Sequence, residues 1–260
     1  MPPDHRDFGI ARLSLPIPIV IPSEEFMDAW LGAVRDQGDE GSCTGQAAAG
    51  DNDFQLRKHD PRFKDNPASA PSTSAQFIYR KSREENGTQD EDSGSDGRTT
   101  CQVLQKYGAC TESLWPYVAG DIHRSPTPEQ LAEALKYKSG AYHFLYTVDD
   151  MKHCIASGYC FRLGIAVFQS FEEKTGSSTV YAPKAGSEQL LGYHEILGKG
   201  YSDSKFGGAF SIRNSWGKTW GVNGDFWMPY EVMADKHIFS DAVIQHFGSP
   251  WKPTAAVPHS

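Results

Sequence analysis

The spacing of apolar and polar positions changes character near residue 140. Before it, apolar residues recur at helical spacing between loops rich in Gly, Pro, Ser and Asp; after it, they alternate or form short unbroken runs. The first half predicts a buried helix from Cys43 to about Leu56, stopping before Pro61 and carrying the small-residue run Ala47-Ala48-Ala49. A second helix is predicted over 74–86, with Ile78 and Tyr79 inward and Gly87 as its stop, and a third over 99–107, ended by Gly108. Thr127-Pro128-Glu129-Gln130 opens a fourth, with Pro at the first helical position and Gln at the third, running on to Gly140. The second half predicts strands over 141–147, 160–168, 193–201, 207–213 and 224–228, with a short helix at 149–157 and a hairpin turn at 202–206. The expected class is α+β. Residues 1–21, whose apolar stretch Leu13 to Ile21 is broken by Pro16 and Pro18, read as an extended N-terminal arm, and 249–260 as a Pro-containing tail.

The stretch Gln37-Gly38-Asp39-Glu40-Gly41-Ser42-Cys43 brings a Gly-rich loop into the predicted first helix and sets Cys43 in its first turn. Main-chain N–H groups there lack partners and the dipole end is positive, and both favour a thiolate over a thiol. Gln37, six residues earlier, could donate its side-chain amide to an oxyanion beside Cys43. A nucleophile needs a base, and the base an orienting group. Tyr193-His194-Glu195-Ile196-Leu197-Gly198-Lys199-Gly200-Tyr201 puts a histidine at the head of a strand, and Phe210-Ser211-Ile212-Arg213-Asn214-Ser215-Trp216-Gly217 ends the next strand on an asparagine.

At these three blocks the chain resembles the papain-like cysteine peptidases, which carry their His and Asn far downstream of the Cys. The block Asn-Ser-Trp-Gly-x-x-Trp-Gly-x-x-Gly, from Asn214 to Gly224, is its most specific part. The resemblance implies a two-lobed fold over 22–248, with a mainly helical lobe over 22–125, a β-rich, barrel-like lobe over 126–248, and a cleft between them. It further implies that Cys43 is the nucleophile, His194 the base, Asn214 the group that orients it, and Gln37 an oxyanion donor. Trp216 and Trp220 would shield the His–Asn bond from water. Gly94 would lie on the main-chain edge that pairs with substrate. Glu195, in place of the usual small residue after the histidine, would line a substrate pocket with Gly164 beside it and favour a cationic guest; the alternative is that it turns to solvent or pairs with Lys199 or Arg162. The implied activity is peptide-bond hydrolysis, with an endopeptidase expected; an exopeptidase or a silent peptide-binding protein on the same fold remains open.

Composition narrows the partners. A net charge of −8 with no run of Lys and Arg disfavours nucleic acid. No apolar segment approaches the ~20 residues of a membrane span. Met1 to Phe8 is polar and lacks the apolar core of a secretory signal. There are 5 cysteines, an odd count, and Glu40 stands where secreted relatives carry a bridging cysteine. A disulfide-free protein of the bacterial or viral branch is expected, in a cytoplasmic or otherwise reducing compartment. The acidic loop 89–97 does not fit the calcium-loop order, and no CxxC pair suggests zinc. Neither metal nor organic cofactor is expected; the expected partner is a polypeptide substrate, and the expected state a monomer.

Overall fold

The computed structural model describes residues 20–172, 180–183 and 186–247. Most of the predicted N-terminal arm and the whole of the tail 249–260 lie outside them. After a short strand β1 (Glu24–Phe26), helix α1 (Cys43–His59) runs through the middle of the molecule. It has no apolar stripe: Asp51, Asn52, Asp53 and Gln55 are as buried as Ala48, Ala49 and Phe54. Neighbours match these polar side chains, as buried polar groups require, with Gln55 Oε1 the exception. Asp53 accepts from Arg35 at 2.8 Å and from the Thr73 N–H at 2.6 Å; Asn52 donates to Thr73 Oγ1 at 2.9 Å, and Gln55 to the Gln245 carbonyl at 2.9 Å.

Helix α2 (Ala75–Asn86) starts on the Ser74 hydroxyl, which accepts from the Phe77 N–H, and stops at Gly87 with φ +72°, as its sequence predicts. Helix α3 (Gly97–Lys106) begins two residues before the predicted start because the Asp96 carboxylate caps it, accepting from the Thr99 N–H at 2.9 Å. Helix α4 (Pro128–Ala134) has the predicted Thr127–Gln130 capping box but gives way to a 3₁₀ turn well before Gly140. Trp115, fully buried, packs with Phe77, Ile78, Leu104 and Ala134 into the core of this lobe.

The remainder is a seven-stranded sheet. Its members are β1, β2 (Ser139–Leu145), β3 (Phe161–Phe168), β4 (Leu190–Ser202), β5 (Ala209–Arg213), β6 (Asp225–Pro229) and β7 (Phe239–Phe247), and helix α5 (Val148–Ala156) joins β2 to β3. The order is β2-β7-β3-β4-β5-β6, with β1 added to the far end of β4. The expected barrel is corrected here: β2 and β6, at the two ends, do not pair with each other, so the sheet stays open. Strand β7 has no counterpart among the predicted strands. Ala242, Val243, Ile244 and Gln245 are all buried, so no alternation marks it, and its pairing to both β2 and β3 is invisible to local pattern. No helix of the described residues is long and apolar enough to cross a membrane.

The link between α3 and α4 depends on one backbone conformation. Gly108 has φ +72°, and a Cβ there would lie 2.0 Å from the Ala134 carbonyl oxygen, part of the main chain of α4. The left-handed backbone alone strains a side-chain-bearing residue by about 1–3 kcal/mol, before any displacement of α4. Gly108→Ala should therefore lower unfolding stability by at least ~2 kcal/mol, read as a reduced urea midpoint, whereas Ala at the open, exposed Gly87 should cost only about 1 kcal/mol.

Candidate active site

Cys43, His194, Asn214 and Gln37 come from four segments, and bonds run from His194 to Asn214 and from Ser215, the next residue, to Gln37. Cys43 opens α1, following Ser42 at the cap position. The Ser42 hydroxyl does not cap the helix; it bonds the Tyr117 hydroxyl at 2.7 Å. The first-turn N–H groups of α1 therefore face the cleft without that competitor. His194 stands where β4 passes from an exposed end, Leu190 to Tyr193, into the interior, and its register partner on β3 is Ile165. Asn214 follows the last residue of β5, and its Oδ1 lies 2.7 Å from His194 Nε2 and accepts from the Ser215 N–H at 2.7 Å.

The Gln37 amide is fixed on both sides. Its Oε1 accepts from the Ser215 hydroxyl at 2.8 Å and its Nε2 donates to the Glu40 carbonyl at 2.9 Å. An amide nitrogen carries two protons, so one N–H remains for another acceptor. The Tyr117 hydroxyl donates to the Gln37 carbonyl at 2.8 Å, and the Gln37 N–H donates to the Ser215 carbonyl at 2.9 Å.

Burial sets the charges. It pushes the half-buried Cys43 thiol up to about 11, against a smaller downward pull from the main-chain N–H of Glu195. Burial also pushes His194 down to about 4, against the upward pull of its Asn214 bond. Either group charged alone would be an unpaired buried ion. The other four cysteines are buried free thiols.

Trp216 stands half-buried with its ring centroid 4.9 Å from that of His194. Trp220 lies 5.6 Å from Trp216. Phe171 closes the cluster at 5.1 Å from Trp216, 4.8 Å from Trp220 and 6.1 Å from His194. Sequence reasoning missed Phe171 because it sits in a four-residue helical turn, Gln169–Glu172, too short to show periodicity.

Three of the predicted binding residues are engaged by the protein itself, Glu195 by Arg162, the alternative partner named above. Glu195 does not offer a free carboxylate to the cleft. It is buried, and Arg162 Nη1 donates to its Oε1 at 3.0 Å. Its Oε2 faces the start of α3, 2.9 Å from where a Gly97 Cβ would be. Gly164, its register partner, leaves no room: a Cβ there would meet Ser240 Oγ at 2.4 Å. Gly94, with φ +71°, lies on the expected loop, but its N–H donates to the Tyr79 hydroxyl at 3.1 Å and is not open to a substrate.

The guanidinium that holds Glu195 is itself fully buried. Arg162 also donates to Thr100 Oγ1 at 2.6 Å and to Cys101 Sγ at 2.7 Å, both on α3, and pairs with Asp51 of α1 at 3.8 Å. Burial pushes both carboxyls up to about 7, with Arg162 pulling each back down. Among the described residues, no group of three or more His, Cys, Asp or Glu side chains could hold a metal ion.

A helix that opens on Cys43 packs against the strand whose His194 bonds Asn214, and the comparisons give the class of protein. The family model for papain family cysteine proteases matches residues 24–246, so the chain belongs to that family and is a cysteine peptidase, a hydrolase. It is 35% identical over 227 residues, covering 83% of this chain and 70% of the relative, to an uncharacterized peptidase C1-like protein, L477, of Acanthamoeba polyphaga mimivirus. Among solved structures it is similar to xylellain, a cysteine protease from Xylella fastidiosa, at 29% identity and TM-score 0.83, covering 94% of this chain and 92% of that one. At 18% identity, the digestive procathepsin L 3 of Tenebrio molitor larval midgut shares the fold with TM-score 0.68, over 93% of this chain and 76% of that one.

The Arg162 cluster yields a stability test. Arg162→Met leaves two buried carboxyls without their cation, and breaking a buried pair from one side costs about 3–5 kcal/mol. Glu195→Gln, which keeps an acceptor for Arg162, should cost less. Because both carboxyls titrate higher folded than unfolded, the folded chain holds more protons between their ordinary range and about pH 7 and loses stability as pH rises through that window. Glu195→Gln should flatten that fall, measured as the urea midpoint against pH.

Proposed function

We propose that the protein is an endopeptidase that hydrolyses polypeptides through Cys43, His194 and Asn214, with Gln37 as an oxyanion donor. The observation that carries this reading is the His194–Asn214 bond at 2.7 Å, on the strand against which the helix opening at Cys43 packs. Since burial opposes either charge alone, thiolate and imidazolium form together, by passage of one proton from Cys43 to His194. The sulfur attacks the scissile carbonyl carbon, and the carbonyl π electrons move to its oxygen. The free N–H of the Gln37 amide and the Cys43 main-chain N–H stabilise that oxyanion. As the C–N bond breaks, His194 returns its proton to the leaving amine. It then takes a proton from water, whose oxygen attacks the thioester and releases the carboxylate product and the thiol.

Asn214 holds the ring through Nε2, which leaves Nδ1 for the sulfur. Trp216, Trp220 and Phe171 keep water from competing for that bond. Neither a metal nor a second chain is needed for any step.

Cys43→Ala should abolish hydrolysis of a fluorogenic peptide while leaving the circular dichroism spectrum intact; activity that persists would exclude the mechanism. Gln37→Ala should lower kcat by ~10²–10³ with little change in KM. Ser215→Ala removes only the bond that orients the amide, worth about 1 kcal/mol, and should lower kcat by roughly fivefold.

A further inference from the structure

The loop before Cys43 and the loop carrying Gly94 are tied together by one exposed aspartate. The Gly41 N–H donates to both Asp92 carboxylate oxygens, at 3.0 and 3.1 Å. The Tyr79 hydroxyl, projecting from the buried body of α2, donates to Asp92 Oδ1 in a short bond. The same hydroxyl accepts from the Gly94 N–H at 3.1 Å. Two main-chain groups from segments 53 positions apart in sequence, Gly41 and Gly94, are thus joined through one carboxylate and one phenol.

The approach is close. A Cβ on Gly41 would lie 3.1 Å from Asp92 Oδ1 and 3.5 Å from both the Gly94 nitrogen and Tyr79 Oη, so a side chain at 41 would press on the Asp92 carboxylate. Each loop is also anchored on its far side. On the nucleophile side, the Gly120 N–H donates to Glu40 Oε2 at 2.8 Å. On the other side, Arg83 Nη1 donates to the Gln89 and Glu91 carbonyls at 3.2 and 2.9 Å, and Arg80 Nη1 to the Gln89 carbonyl at 2.9 Å. Across the gap between them, the bonds found are those of Asp92 and Tyr79.

We propose that Asp92 is a positioning residue for the peptidase reaction: through Gly41 and the Tyr79–Gly94 relay it fixes the distance between the nucleophile and the loop over 92–96 along which an extended substrate lies. This rests on the reading of the cleft given above. Its physical content is that two cleft edges carried by separate segments move as one body. A substrate spanning both then meets the thiol in register, since misplacement of reacting atoms by about 1 Å can cost on the order of 100-fold in rate. A carboxylate does this without redox chemistry, so the tie holds equally in oxidising and reducing solution. Asp92 acts as an acceptor here, and the acceptor geometry, more than the charge, is what the two donors need.

The test compares an extended peptide substrate, reaching at least three residues to the amino side of the cut bond, with a single-residue ester, on wild type and on Asp92→Ala, Asp92→Asn and Tyr79→Phe. Asp92→Ala should lower kcat/KM for the peptide at least tenfold while changing that for the ester less than threefold. Asp92→Asn, which keeps a carbonyl acceptor, should recover most of the loss. Tyr79→Phe should fall between. Hydrogen exchange by mass spectrometry gives a readout independent of turnover: segments 39–44 and 91–97 should exchange at least tenfold faster together in Asp92→Ala, and should be unaffected by reductant in wild type. Peptide and ester activities that fall in parallel, or exchange that rises at one segment only, would overturn the proposal. If Cys43→Ala retained activity the mechanism would fail, yet the coupled exchange of the two segments would still stand or fall alone.

Discussion

Everything at the cleft depends on the burial of α1. A helix whose first residue is Cys43 is buried along most of its length, so that residue cannot shift without moving the interior packed around it. The Ala47–Ala49 run lets neighbours come close, and β4 packs along the same helix. Burial of a helix without an apolar stripe is unfavourable unless its polar groups are met, because each unmatched one costs about 1–3 kcal/mol. Asp53, Asn52 and Gln55 are met by Arg35, Thr73 and the β7 main chain, so the same bonds that make burial tolerable also define which segments surround the helix.

Charge in the interior follows the same logic. Arg162 sits where α1, α3, β3, β4 and β7 meet, contacting Asp51, Thr100, Cys101, Glu195 and Gln245. Two carboxyls share one guanidinium, and burial raises the pKa of both. A buried cluster of this sort adds little net stability compared with apolar packing, but it permits few alternative arrangements because each donor needs its acceptor. It anchors the residue next to His194 to the helix that carries Cys43, and so bears on the geometry of the pair.

The cleft loops are organised by main-chain donors meeting side-chain acceptors. Asp92 takes the Gly41 N–H and Glu40 takes the Gly120 N–H, while a side-chain donor, the Ser215 hydroxyl, orients the Gln37 amide. The aromatic cluster of Phe171, Trp216 and Trp220 supplies a different constraint, an apolar wall beside an imidazole whose bond to Asn214 gains strength where water is excluded.

The family was legible in the sequence because its signals are local: a Gly-rich loop into Cys43, a histidine heading an apolar strand, and the Asn-Ser-Trp-Gly block. The cap at Thr127 and the stop at Gly87 were legible for the same reason, since capping is decided within four residues. What the sequence could not decide was where non-local partners fall. Strand β7 has no alternation because both its faces are covered, and its two neighbours lie far away in the chain. The sheet stays open rather than closing, a matter of how end strands meet. Glu195 looked available for a substrate cation; Arg162, named only as one of two possible partners, claims it because desolvation makes an unpaired carboxylate at that depth costly. Gly94 was found on its loop, but the Tyr79 hydroxyl, from a helix read only as core, had taken its N–H. Local propensity and motif chemistry are written in neighbouring residues, whereas which buried charge finds which partner is settled only when distant segments compete for the same space.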